Sequence, residues 1–111
     1  MKIKKLISDL LRYFRKTTEY RQVLFLNENP EKRVPGKTLV VISSGGKPKW
    51  LRFRCPCGCG DELVLPLMTN YNPHWEITQH PDKTLTVIPS VNVTRQCGAH
   101  FFIKGNKVTN V

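Results

Sequence analysis

The stretch Cys55-Pro56-Cys57-Gly58-Cys59-Gly60 sets three thiols within five residues, and the fourth cysteine of the chain, Cys97, stands far downstream in CGAHF. Disulfides within the cluster are disfavoured, because residues two apart do not reach the Cα separation and side-chain directions that a bridge needs. A single bridge from the cluster to Cys97 would leave two thiols free, which does not suit an oxidising compartment. The pattern therefore predicts a corner of the fold where soft ligands converge, and a chain that resides in a reducing cytoplasm. The N-terminus agrees with that expectation: MKIKKLISDLLRYFRK lacks a continuous apolar core followed by small residues, so it reads as neither a signal peptide nor a membrane span.

At 111 residues the chain is predicted to form one β domain preceded by a helix, and 40% hydrophobic content suffices for a modest core. The period at the start is helical. Ile3, Leu6, Ile7, Leu10, Leu11 and Phe14 fall on one face, with Lys2, Lys4, Lys5, Arg12, Arg15 and Lys16 around the others. A basic amphipathic helix over residues 1–21 is expected, able to pack on its own domain, to enter a partner's groove or to lie on an anionic membrane surface. From residue 22 the period changes. Segments such as RQVLFL, KTLVVIS, KWLRFRC, DELVLPL, HWEIT, KTLTVIP, HFFIK and NKVTNV are short, rich in β-branched and aromatic residues, and bounded by Gly, Pro, Asn and Asp. The expected fold is mainly β, a small antiparallel sandwich or open barrel over residues 22–111, with Gly105-Asn106 as a hairpin turn.

Placed on that fold, the cluster ends one strand and CGAH heads another, so two corners can meet. Cys55, Cys57 and Cys59 from the first and Cys97 and His100 from the second are five candidates for the four positions of a tetrahedral zinc site. Two clustered cysteines with Cys97 and His100 form the leading set, while binding by all four cysteines would release His100. Glycine after cysteine lets the backbone curl so that amides can donate to sulfur. Iron accepts the same soft ligands, but no other redox signature accompanies them, and zinc is expected.

The motifs CPCGCGDELVLPL, HWEI, KTLTVIPSV and CGAHFFIKGNKV together resemble an uncharacterised family of small bacterial and phage proteins, a domain of unknown function. Its members read C-P-C-G-C-G-E, a tryptophan, T-L-x-P-S, and C-x-x-H-F-x-I-x-x-G-x-V. The resemblance runs from Val23 to Val108 and leaves out the basic N-terminal segment. Asp61 replaces the family's usual Glu, and Val87-Ile88 lengthens the run before Pro89-Ser90. Some members lie beside ubiquitin-like conjugation genes, which implies a metal-dependent peptidase that matures or removes a conjugated tag, with a ubiquitin-like protein as partner.

Two functions are therefore carried forward. An excess of 18 Lys and Arg over 8 Asp and Glu, a net charge of +10, favours an anionic partner. Within KPKWLRFRC, Lys47, Lys49, Trp50, Arg52 and Arg54 interleave a stacking ring with phosphate-neutralising charges, so the leading expectation is a zinc-stapled module that binds nucleic acid or a protein. Alternation mixes charges and aromatics on both faces, and an ordinary strand with solvated charges is the plainer reading of the same residues. The alternative is a zinc-dependent peptidase, for which Asp61 and Glu62 beside the cysteines are candidate bases, His74, His80 and His100 further acid–base groups, and Ser90 a substrate-orienting group or nucleophile. Three thiolates and an imidazole would close the metal's shell, which argues for a structural site.

Overall fold

The structure is a computed structural model that describes residues 16–94 and 97–111. The helix expected over residues 1–21 lies mostly outside the described residues. Its described end, residues 16–21, is not helical: Glu19 forms a β-bridge with Lys107, and Tyr20 is buried.

The described residues form eight strands: β1 (Gln22–Leu26), β2 (Thr38–Ser44), β3 (Lys47–Arg54), β4 (Glu62–Pro66), β5 (Glu76–Gln79), β6 (Leu85–Asn92), β7 (His100–Lys104) and β8 (Lys107–Asn110). They form two four-stranded sheets in sequential order, β1-β2-β3-β4 and β5-β6-β7-β8, called sheets I and II. The expected mainly-β sandwich is present with one change of topology. β1 pairs with β2 in parallel, Gln22 beside Thr38 through Leu26 beside Ile42, and the remaining pairs are antiparallel. Residues 27–37 carry the chain back across sheet I, a route that a tight hairpin cannot take.

Alternation along the strands builds the core. Leu39 and Val41 of β2, Leu51 and Phe53 of β3, and Leu63 and Leu65 of β4 face Leu85, Val87 and Val91 of β6 and Phe101 and Ile103 of β7. Phe53 sits at the centre, edge-on to Tyr20 at 5.6 Å and to Phe101 at 6.2 Å between ring centroids. The other face of sheet I is also covered, because Val34 from the 27–37 loop packs on Val40, Ile42 and Trp50. The β7–β8 hairpin turns on Gly105 (φ 55°) and Asn106 (φ 67°), as its sequence predicts. Asn106 is buried: its Oδ1 accepts from the Leu85 amide at 2.8 Å, and its Nδ2 donates to the Tyr20 carbonyl at 3.0 Å, tying residues 17–20 to sheet II.

Arg52 is buried under the 27–37 loop, with its side chain 8% exposed. Its guanidinium donates to both oxygens of Glu62 (2.9–3.2 Å), to Asn29 Oδ1 and the Pro30 carbonyl (both 2.7 Å), and to the Lys32 carbonyl (3.2 Å). Glu62 also accepts from the Val34 amide at 2.9 Å. Burial alone would raise the Glu62 pKa. The Val34 amide, the Arg52 hydrogen bonds and the charges of Arg52 and Arg33 outweigh burial, and the pKa falls below the ordinary 4.5. A folded-state pKa below the unfolded one gives stability that is fully present above the unfolded value and is lost as pH falls through the folded one. Glu62→Ala strands a buried guanidinium, so chemical denaturation is expected to show a loss of about 3–5 kcal/mol at pH 7. The loss shrinks in acid, where the wild-type carboxylate is itself protonated.

Candidate functional site

Pro56, Gly58 and Gly60 let the cysteine segment fold back on itself as it leaves β3. Gly58 (φ 86°) and Gly60 (φ 89°) take left-handed conformations, and the space around a Cβ at Gly60 is open, so backbone conformation rather than crowding requires glycine there. The Cys55 amide donates to the Asp61 carbonyl at 2.8 Å, and the Gly58 amide to the Cys55 carbonyl at 3.3 Å. Across the sandwich, Val93 donates to the Ala99 carbonyl at 2.7 Å, closing a loop that holds Cys97 against the core.

The two corners meet. The sulfurs of Cys55, Cys57, Cys59 and Cys97 all lie within 4.8 Å of one another, with Cys55 to Cys57 at 3.3 Å and Cys55 to Cys97 at 3.9 Å. Tetrahedral coordination with metal–sulfur bonds of about 2.3 Å places thiolates about 3.8 Å apart, so this arrangement fits one metal ion in a four-sulfur shell. Burial, followed by the neighbouring thiols, pushes the Cys55 thiol above its ordinary pKa, and burial does the same at Cys59. Four clustered thiols are hard to ionise together unless a cation joins them.

His100, a member of the leading expected ligand set, is directed elsewhere. It begins β7 on the face turned away from the core, and its Nε2 lies 3.0 Å from Ser90 Oγ. That meeting depends on an irregularity in β6. Val87 pairs with Ile103 and Val91 with Phe101, so Ile88, Pro89 and Ser90 together stand opposite Phe102 alone. A proline cannot donate to the ladder, and a bulge re-aims the side chains it carries. The bulge brings Ser90 alongside His100. Trp75 anchors it from the other side, its Nε1 donating to the Ser90 carbonyl at 3.3 Å. Ile88, 55% exposed, lies beside the serine on the open surface of sheet II.

The remaining sequence-predicted residues are scattered. Glu62 is engaged by Arg52 and Val34, while Asp61 is exposed at the cysteine corner. His80 Nε2 contacts Thr86 Oγ1 at 2.6 Å, and His74 Nδ1 lies 3.0 Å from the Tyr71 carbonyl. In β3, Lys47 is exposed and Lys49 half-buried, but Trp50 packs on the Val34 cluster and edge-on to Tyr71 at 5.3 Å. Arg52 is buried, and Arg54 donates through Nε to the Val34 carbonyl at 2.8 Å. The five residues do not form a stacking surface. A cavity of about 480 Å³ does open beside Cys55, lined by Arg33, Lys37 and Arg54 among others, with no acidic side chain among the described residues of its wall.

These features define a small β-sandwich with a metal-binding cysteine corner and a serine–histidine pair on the outer face of sheet II. Residues 25–111 match the family model described as bacterial ubiquitination-like system serine protease (BubE), and the chain belongs to that family. Curated proteins and solved structures yield no match to it. The expected bacterial context is thereby found, and the family's description points to a role in a bacterial ubiquitination-like system. Among the described residues no helix is long and apolar enough to cross a membrane.

Proposed function

We propose that the chain is a serine peptidase that cleaves a peptide or isopeptide bond at the C-terminal end of a ubiquitin-like protein, with Ser90 as nucleophile and His100 as general base, and that its four cysteines hold a structural zinc ion. The observation that carries this reading is the 3.0 Å contact between Ser90 Oγ and His100 Nε2 on the open face of sheet II. A serine hydroxyl is a weak nucleophile until a base within hydrogen-bond reach removes its proton. As Ser90 Oγ bonds to the substrate carbonyl carbon, His100 Nε2 takes the hydroxyl proton and then gives it to the departing amine. Water, deprotonated by the same imidazole, then breaks the acyl–oxygen bond, releasing the carboxylate and returning the proton to Ser90.

The expected zinc-dependent peptidase has less support. With zinc bound, the four thiolates would complete a tetrahedral shell and would leave no position for a water nucleophile. Glu62, a candidate base of that reading, is already bound by Arg52 and Val34. Zinc would act by stapling the two corners, and the family's serine protease description agrees with chemistry at Ser90 rather than at the metal.

A fluorophosphonate probe tests the assignment directly. Its phosphorus forms a bond to an activated serine oxygen and expels fluoride, and intact-mass and peptide mapping are expected to find one adduct, on Ser90. His100→Ala and Ser90→Ala should both abolish it. An unlabelled wild type, or labelling that persists in His100→Ala, overturns the proposal.

A further inference from the structure

An imidazole that serves as a base has two nitrogens, and the second must be held if the first is to stay unprotonated toward the nucleophile. At His100, Nε2 is directed to Ser90. The strand register shows which residue lies across the ladder from His100. Asn92, the last residue of β6, is the cross-strand partner of His100. Val93 donates its amide to the Ala99 carbonyl, so Val93 and Ala99 form a hydrogen-bonded pair. By the alternation of an antiparallel ladder, Asn92 and His100 are then a non-hydrogen-bonded pair, the kind in which side chains approach most closely. Both residues share the outer face, since their neighbours Val91 and Phe101 point into the core. Asn92 and Ser90 are two apart on the same strand, so the three side chains form one outward-facing group.

No described carboxylate is placed to compete for this position. Glu76 shares the outer face of sheet II but is paired opposite Ile88, farther along β6. Asp61 and Glu62 belong to the cysteine corner and β4, Glu19 bridges to Lys107, and Asp82 is occupied by the Thr84 amide and hydroxyl. Glu28 and Glu31 lie on the loop that crosses sheet I.

We infer that Asn92 is the positioning residue of the pair: it stands across the ladder from His100 on the exposed face without bonding to it in the structure, and a rotation of its amide on substrate binding brings the side-chain carbonyl to accept from His100 Nδ1–H. This fixes the tautomer that turns the Nε2 lone pair toward Ser90, and it does so without placing a charge beside the ring. The inference rests on the assignment of Ser90 and His100 above. A neutral amide serves the same purpose in cysteine–histidine–asparagine arrangements on unrelated folds.

Two readouts on the full-length chain test it: the kinetics of fluorophosphonate labelling, and the His100 tautomer followed by ¹⁵N imidazole NMR with a ubiquitin-like protein bound. Asn92→Ala is expected to slow the maximal labelling rate by about 10²-fold, the size of effect that follows from a misplaced catalytic group, with the probe's binding constant unchanged. The Nδ1–H tautomer, dominant in the wild type, should give way to a mixture. Asn92→Asp, which keeps the acceptor, should hold the tautomer and recover most of the rate. Because Asn92 is exposed, neither variant should change the unfolding midpoint. Wild-type labelling and an unchanged tautomer in Asn92→Ala would overturn this inference while leaving the peptidase assignment intact. A wild type that is not labelled would overturn the assignment, and the tautomer would still report whether Asn92 holds the ring.

Discussion

Alanine in place of Ser90 is expected to slow cleavage of a ubiquitin-like protein bearing a C-terminal extension by about 10⁴- to 10⁶-fold, and alanine in place of His100 by a similar factor. The double variant should be no slower than either single one. Neither residue works alone: a base without its nucleophile has no proton to take, and a serine without its base is an ordinary alcohol. Additive losses would mean that the two side chains act separately and would sink the dyad. Mass spectrometry of the released product gives the rate, and thermal unfolding controls for structure, since both side chains are only half-buried on an outer face. Asp61→Asn separates this chemistry from the metallopeptidase alternative. It should leave the rate within about twofold, because Asp61 stands at the cysteine corner before β4 and not beside Ser90 and His100.

The parts of this fold that could be read from the sequence are those encoded locally. Each of the eight strands of the described residues coincides with a short run rich in β-branched, aromatic or other apolar residues, and the Gly105-Asn106 turn has the backbone conformations its residues favour. The cysteine corner was legible for the same reason, since three of its thiols are neighbours and their glycines are needed for the turn. Long-range pairing was not legible. The parallel β1–β2 ladder is set by a returning loop, and turn chemistry does not encode that choice. Arg52 shows a second limit, because alternating charges and rings in KPKWLRFR read equally well as a surface or as a strand covered on both faces. Only the Glu62 carboxylate and the 27–37 loop decide between them.

His100 was harder still. Its spacing from Cys97 imitates a metal-ligand pair, yet strand alternation turns it outward to a serine ten residues upstream. One local signal was present. Pro89 within an otherwise regular strand marks a bulge, and a bulge next to a serine is a place where a side chain is re-aimed. Joined to a histidine at the head of the next strand, it points to the pair that the metal-centred reading passed over.

Removing the metal is expected to have the largest effect on stability. A structural zinc site contributes on the order of 10 kcal/mol, comparable to the whole stability of a small domain, so the purified chain should contain one zinc and should unfold when a strong chelator removes it. The four clustered cysteines join the exit of β3 to the loop that leads into β7, and Cys97 precedes His100 by only three residues. Unfastening that corner releases the start of β7, and with it the position of the base. Cys97→Ser should therefore lose zinc and Ser90 labelling together, although Cys97 takes no part in the chemistry. The dependence on pH has a definite sign. Burial holds the Cys55 and Cys59 thiols protonated in the absence of metal, so binding must displace protons and weakens as pH falls. At a fixed chelator concentration the unfolding transition should shift to higher temperature as pH rises from 6 to 8. A metal-free protein that is folded and labels normally at Ser90 would remove the staple from this account and leave the serine and histidine to stand on the sheet alone.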